Sequence, residues 1–462
     1  MKKLSRCRNT GKIRAAFLFA AMSFFILFLA NSAFAATAKA PAVADLNKFP
    51  QDASAYLPEN PDVPIVDAES QRAAAEEYLQ KQYAPWHNVD LSFLDLSMDK
   101  VLEYHANTAK KQYFAEGGKP FPVASLGKIA ENGVVDPEEL PRPGVAVAEV
   151  NVRVLPTSNP LYPSAASALG ERGLLKMDVL QNSALKPAEP LAVYAQSKDG
   201  LWYFIATGTV VGWVRSHKVA FVDDAFMDRY ERAAHRVVVR DNVRVVRVRD
   251  GKKEVAATIK MGAVIPAEGE DLLLPVRNKS GLAEIEKCSP ERGVALPFPV
   301  AFTPRNAVRA VGQVMGEPYG WGGMNGFRDC SAMTRDYFSV FGVWLPRNSG
   351  DQARTGTGIP LKGVKVGDRA KTIVARGVPF ATLIHMPGHI MLYVGTRDGV
   401  PVVVHNVWGV RKNMANGKLG RAVIGRTVAT SLRAGAEIEN RPKSSLFIDN
   451  IAAIVFPYAE IE

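Results

Sequence analysis

The stretch Tyr319 to Gln352, YGWGGMNGFRDCSAMTRDYFSVFGVWLPRNSGDQ, decides how the last third of this chain is read. Met333, Tyr337, Phe338 and Phe341 recur at three- and four-residue intervals, the apolar stripe of one helix. Gly342 stands where that helix should stop, and Pro346 lies beyond it. Asp329-Cys330-Ser331 therefore falls at the helix start, after a glycine-rich approach. Unpaired backbone N–H groups and the positive end of the helix dipole favour a thiolate there. A cysteine in mid-stripe would read as a small hydrophobe; one at this position reads as a nucleophile.

A sulfur nucleophile needs a base, and two of the seven histidines have a suitable setting. His389 opens the run His389-Ile390-Met391-Leu392-Tyr393-Val394, and His405 closes Val402-Val403-Val404-His405. Both runs are rich in β-branched or aromatic residues and read as strands. Between them lies Gly395-Thr396-Arg397-Asp398-Gly399, a turn cluster of hairpin length. A hairpin turning about Arg397 places the two histidines directly opposite each other on one face. A slip of one residue would separate them. Paired, one imidazole serves as base and the other orients it, the logic of a cysteine–histidine site.

Tyr319-x-Trp321-Gly322-Gly323, Asp329-Cys330-Ser331, Leu345-Pro346-Arg347-x-Ser349-x-x-Gln352, Gly388-His389-Ile390 and His405 follow one another in an order that resembles the NlpC/p60 cell-wall peptidases. The resemblance covers about residues 300–460. It implies a papain-like α+β fold and cleavage of peptidoglycan stem peptides between γ-D-glutamate and a diamino acid such as diaminopimelate. It also implies that Asp329 and Ser331 help bind the polar backbone or amine of the substrate and that Trp321 lines the cleft. Capping of the helix is the plainer role for Asp329, and Arg347 and Gln352 read as structural. One departure is Gly367-Asp368-Arg369-Ala370-Lys371, where many members run straight into an apolar strand; an insertion reshaping one wall of the cleft is expected.

The chain opens with six basic residues between Lys2 and Arg14, the apolar run Ala15–Ala30 and the small-x-small site Ala33-Phe34-Ala35. That is the pattern of a cleaved signal peptide over residues 1–35, so an exported protein, periplasmic or secreted, is expected, with no membrane anchor after cleavage. Removing it leaves 51 basic against 46 acidic residues, a net of +5 in place of +11. This suits an anionic polymer such as the cell wall or its released stem peptides and is too small to argue for nucleic acid. Two cysteines remain, Cys288 and Cys330, and pairing them would silence the nucleophile. No C-x-x-C or H-E-x-x-H spacing supports a metal, and no cofactor is expected.

Residues 36–139 read as an extended Pro-rich segment followed by helices at Asp67–Gln82, ended by Pro85, and at Ser97–Phe114, a helical clip without chemistry of its own. From about residue 140 the pattern turns to short strands. Asn151-Val152-Arg153, Asp199-Gly200-x-Trp202 and Gly212-Trp213-Val214 resemble bacterial SH3-like domains over 140–224, and a variant follows at 234–298. The expected architecture is thus multidomain: a helical clip, two small SH3-like β-barrels and a papain-like α+β peptidase domain at 300–462. The resemblance implies that the first barrel walls the cleft and limits the substrate to short peptides with a free N-terminal L-alanine. Tyr162, in the loop after Pro156, is a candidate for that contact, although packing on its own barrel is the simpler reading. An amidase or acyltransferase on the same Cys–His site, and a non-catalytic wall-binding protein, are the alternatives.

Overall fold

Asp67 starts the first long helix by accepting hydrogen bonds from the N–H groups of Glu69 and Ser70, both at 2.9 Å, two of the donors a helix start leaves free. This helix, α1 (Ala68–His87), runs through Pro85, where the sequence predicts a stop. A proline removes one backbone bond, and tertiary anchors hold the last turn instead. Trp86 donates its indole N–H to Gly144 O at 2.7 Å, and the Tyr83 hydroxyl lies 2.7 Å from His235 Nε2. Near the other end, Gln71 Nε2 donates to Val300 O at 2.7 Å and Phe341 O at 3.0 Å. One helix thereby ties together Gly144, His235, Val300 and Phe341, from three regions that follow it along the chain. In this computed structural model the described residues are 43–135, 141–171, 173–249, 251–414 and 417–458; the signal peptide expected at 1–35 lies outside them.

The second helix, α2 (Met98–Ala109), is capped by Ser97 and is shorter than its pattern predicts. Tyr113–Phe114 instead pairs with Pro120–Phe121, and Phe114 also bridges to Tyr162. His105 is half-buried and edge-on to Phe204 at 5.6 Å, a packing residue.

Between Arg142 and Phe221 the described residues form a seven-stranded antiparallel sheet. Its strand Trp202–Ala206 is buried throughout because both faces are covered. Tyr203 and Ile205 enter one apolar cluster with Val152 and Val214, while Trp202 and Phe204 enter another with Val101 of α2. One strand of this sheet, β1 (Gln181–Leu185), matters for the site below. From Ala234 to Pro297 runs a five-stranded sheet with a separate hairpin, β2 (Val243–Arg249) and β3 (Lys252–Ile259), around a shared core with Ile265, Leu272 and Leu273.

The last sheet is antiparallel, with strands β4 (Thr357–Pro360), β5 (Leu383–Met386), β6 (His389–Arg397), β7 (Val400–Asn413), β8 (Leu419–Ser431) and β9 (Ala453–Phe456) in the order β4-β9-β5-β6-β7-β8. Helix α3 (Cys330–Ser339) covers one face, with Met333, Tyr337 and Phe338 packed on Ile390 and Leu392. The segment 367–371, where an insertion is expected, lies in helix α4 (Val366–Arg376), whose Ile373 joins the cluster on the opposite face with Met391 and Tyr393. It therefore braces the far side of the sheet from α3. Among the described residues no helix is long and apolar enough to cross a membrane.

Candidate active site

Cys330 is the first residue of α3, and Asp329 is its cap. The Asp329 carboxylate accepts from Ala332 N–H at 2.9 Å, Gly322 N–H at 3.1 Å, Ser331 Oγ at 3.3 Å and two Arg347 nitrogens at 2.6 and 3.1 Å. Both oxygens are therefore occupied, and Arg347 holds the carboxyl below its usual range against the effect of burial. Ser331 Oγ also accepts from Arg347, at 3.0 Å. Asp329 and Ser331, expected to meet substrate, thus use their polar atoms to cap the helix and to bind Arg347.

Arg347 reaches further. Its Nε donates to Ser183 Oγ at 2.8 Å, on β1 of the first β domain. The same strand lies against the glycines before Cys330: Gln181 Nε2 donates to Gly322 O at 2.9 Å. A Cβ on Gly322 would stand 2.8 Å from Gln181 O, and one on Gly323 2.7 Å from the Ala184 Cβ. Both glycines have positive φ, 58° and 83°. The Trp321-Gly322-Gly323 motif is therefore read by close approach of another domain. Trp321 itself is half-buried with its indole N–H unpaired.

One residue before the cap, buried Arg328 is bound by three carboxylates: Asp336 at 2.7 Å, Glu317 at 3.0 Å and, from the second β domain, Asp241 at 2.8 Å. Its carbonyl accepts from Gly320 N–H and from Asn406 Nδ2, each at 2.9 Å. This hub joins the approach to Cys330 to the strand that carries His405. Neither it nor the Arg347 fork was assigned from the sequence, because the contacts that tie them to the β domains, Asp241 and Ser183, lie far along the chain.

The imidazoles do meet, though by a different register from the one expected. Asp398 and Gly399, with φ of 51° and 74°, form a two-residue turn between Arg397 and Val400. Pairing carried straight from that turn would set His405 across from Leu392, on the face away from His389. One extra residue in β6 at Val394, where Tyr393 pairs Val403 but Gly395 pairs Val402, shifts the register back. His389 and His405 become diagonal neighbours on one face rather than direct opposites. His389 Nε2 lies 2.8 Å from His405 Nδ1, and His405 Nε2 lies 3.0 Å from Thr430 Oγ1. Phe447 stacks on the His389 ring at 5.8 Å and meets His405 edge-on at 5.1 Å.

The sulfur reaches this pair at the start of β6. The backbone N–H groups of Ile390 and Ser331 face the Cys330 thiol, yet burial, reinforced by the Asp329 charge, pushes its pKa up to about 12. Burial likewise pushes His389 down to about 4, with Asp329 opposing and His385 and Arg421 adding to the shift, and pushes His405 well below its ordinary value. At neutral pH the resting site holds a thiol and neutral imidazoles. The helix-start thiolate expected from the sequence is thus corrected: dryness outweighs the helix dipole. Tyr162 is bonded through its backbone to Phe114 of the N-terminal region and lies beneath Lys176, 5.6 Å from the ring centre. Cys288 is buried and free, not paired with Cys330. Among the described residues no His, Cys, Asp or Glu group is arranged to hold a metal ion.

Residues 316–406 match the NlpC/P60 family profile, residues 175–215 an SH3 domain of SH3b1 type, and residues 19–137 the NLPC_P60 N-terminal stabilising domain. A gamma-D-glutamyl-L-lysine dipeptidyl-peptidase of Bacillus subtilis is 42% identical over 82 residues, 18% of this chain and 26% of that protein. One of the same name from Bacillus cereus is 24% identical over 163 residues, 34% of this chain and 47% of that protein. The chain thus spans less than half the length of these curated relatives. The structure of an NlpC/P60 endopeptidase from Photobacterium damselae subsp. piscicida superposes with a TM-score of 0.79 at 23% identity, covering 90% of this chain and 98% of that one, a likeness of fold. The chain thus carries an NlpC/P60 domain at residues 316–406, preceded by matches to an SH3 domain and to the N-terminal stabilising domain found with it.

Proposed function

We propose that the protein is an exported cysteine endopeptidase that cuts peptidoglycan stem peptides between γ-D-glutamate and diaminopimelate, with Cys330 as nucleophile, His389 as base and His405 as its orienting partner. The observation that carries the reading is the 2.8 Å link between two buried imidazoles beside a cysteine at a helix start. With Nε2 of His389 engaged by His405, Nδ1 is the nitrogen left for the sulfur. Its free lone pair requires the proton on Nε2, donated to His405 Nδ1; His405 then carries its own proton on Nε2, donated to Thr430.

As the Cys330 sulfur attacks the γ-glutamyl carbonyl, its proton passes to His389 Nδ1 and a C–S bond forms. The carbonyl electrons move to oxygen, where the Cys330 N–H at the helix start is the available donor. The intermediate collapses with loss of the C–N bond, and His389 protonates the leaving amine. Water, deprotonated by the same imidazole, then hydrolyses the thioester. Asp329 and Arg347 hold the helix start and keep one negative charge near the imidazolium that forms transiently.

The proposal extends to substrate length. The packing of β1 on Gly322 and Gly323, and its bond to Arg347, support a first SH3-like domain that walls the cleft rather than tethering the enzyme at a distance. Such a wall favours short peptides with a free L-alanine amine, with Tyr162 and Trp321 as candidate contacts. The test is to incubate the protein with L-Ala-γ-D-Glu-diaminopimelate and its N-acetylated form and weigh the products. Release of free diaminopimelate, faster from the free amine, is expected. Failure to cut either peptide, with N-acetylmuramoyl-L-Ala-γ-D-Glu-diaminopimelate added as a third substrate and split only at its muramoyl–alanine bond, would mean an amidase. Equal rates on the first two peptides would remove the wall.

A further inference from the structure

β8 is the edge strand of the described peptidase sheet, and an edge presents a row of backbone groups that need partners. In an antiparallel sheet these groups point outward at every second residue. Beside the approach to Cys330 the partners are backbone. Tyr319 N–H donates to Gly425 O at 2.9 Å, Gly316 N–H donates to Thr427 O at 2.9 Å, and Thr427 N–H donates to Glu317 O at 2.8 Å. Further along β8 they are side chains from the other end of the chain. The Gln51 amide binds both backbone groups of Ala429, donating to its O at 2.9 Å and accepting from its N–H at 3.0 Å. The buried Asp45 carboxylate accepts from Ser431 N–H at 2.8 Å and from the Ser431 hydroxyl at 2.7 Å.

This N-terminal segment crosses the edge rather than running along it. Val43 and Leu46 enter the apolar cluster of Met391 and Phe447 on one face of the sheet, and Phe49 and Ala53 enter that of Met333 and Ile390 on the other. Between the two clamped residues stands Thr430, whose hydroxyl lies 3.0 Å from His405 Nε2. Thr430 is β-branched, so its hydroxyl follows the setting of its backbone. That hydroxyl selects a tautomer. By accepting from Nε2–H it leaves His405 Nδ1 to accept from His389 Nε2, 2.8 Å away, and His389 Nδ1 keeps its lone pair for the thiol proton. With the His405 proton on Nδ1 instead, His389 would accept at Nε2 and carry its own proton on Nδ1, closed to Cys330.

We propose that Asp45 and Gln51 are positioning residues of the peptidase site: by clamping Ala429 and Ser431 they hold Thr430 on His405 and fix the tautomer of the imidazole pair. The inference rests on the peptidase reading above. Both side chains act through the backbone of β8. The N-terminal segment thereby belongs to the catalytic apparatus, although Gln51 and Ala429 stand 378 residues apart in the chain.

The experiment compares full-length mature wild type with Asp45→Ala/Gln51→Ala, Thr430→Val, Thr430→Ser and the triple variant Asp45→Ala/Gln51→Ala/Thr430→Val, each below its melting temperature. Where the double variant does not fold, Gln51→Ala and Asp45→Asn singly carry the same comparison. Two quantities are read: kcat and KM on L-Ala-γ-D-Glu-diaminopimelate, and long-range proton–nitrogen spectra of protein labelled at the histidine nitrogens, with His405 assigned through His405→Gln. The double variant and Thr430→Val should each lower kcat about 3- to 10-fold, the scale of one hydrogen bond, with KM within about twofold. Thr430→Ser should keep most of the wild-type kcat. The triple variant should lose no more than Thr430→Val alone, since both changes act on one contact. The spectra should show His405 protonated at Nε2 in wild type and a mixture of Nε2 and Nδ1 protonation in the double variant. Losses that multiply in the triple variant, an unchanged kcat in the double variant, or a His405 tautomer that does not move each overturn the clamp while leaving the peptidase reading intact. A wild-type protein that does not cut the peptide overturns the peptidase reading, and the spectra then decide the clamp alone.

Discussion

Cys288 and Cys330 are both buried and free, and both are pushed upward in pKa, to about 11 and about 12, with burial the first cause in each case. By proton affinity alone Cys330 is the poorer nucleophile. The difference lies in what surrounds each sulfur. Cys288 ends a strand among Leu272, Leu273 and Tyr230, with the charges of Glu286 and Asp271 opposing a thiolate. Cys330 begins a helix, with two N–H groups facing the sulfur, Arg347 offsetting Asp329, and an imidazole pair at the adjoining strand. The comparison teaches that the resting nucleophile is stored as a thiol, and that its surroundings are built to accept its proton on demand.

The largest expected effect follows from that contrast. Cys330→Ala should abolish stem-peptide hydrolysis, a loss of roughly 10⁴-fold or more on the scale of removed nucleophiles, while Cys288→Ala keeps activity; mass-detected product release checks both. Next come the imidazoles. His389→Ala should lose about 10²–10⁴-fold, the usual contribution of a general base. His405→Gln should lose less, because a side-chain amide can still accept from His389 Nε2. Equal activity in wild type and His389→Ala would break the contrast between the two cysteines.

Stability supplies the smaller effects. Arg347→Met leaves Asp329 buried without its partner and should cost about 3–5 kcal/mol, read by urea unfolding. The pH dependence has a definite sign. His105, His235 and His389 fall from 6.5 to about 4 on burial, so the unfolded chain binds protons that the fold does not. Stability is fully present above pH 6.5 and is lost as the pH falls toward 4, by up to about 1.4 kcal/mol per unit for each group. A melting temperature that stays constant from pH 7 to 5 would refute this. The smallest effect is that of Cys288→Val, a near-isosteric apolar swap expected to change stability by less than about 1.5 kcal/mol.

The helix carrying Cys330 was legible in the sequence because its stripe and stop signals are local. So was the pairing of His389 with His405, but for an incomplete reason: the turn falls one residue later than expected, and the bulge at Val394 restores the shared face. A bulge leaves little trace in an alternating run already buried on both sides. Pro85 misled because its cost to α1 is local, whereas Trp86 and Tyr83 hold that turn through residues far along the chain. The Arg347 fork and the Arg328 hub were invisible because nothing in a one-dimensional pattern says which carboxylate, near or far, a buried arginine meets.

The central claim is that Cys330 forms a covalent acyl intermediate with His389 as its base. Acid-quenching the protein during turnover of L-Ala-γ-D-Glu-diaminopimelate and mapping modified peptides by mass tests it most directly. The account predicts an L-Ala-γ-D-Glu adduct on Cys330, none on Cys288, and none in His389→Ala. An adduct on Cys288, or undiminished hydrolysis by Cys330→Ala, would contradict it.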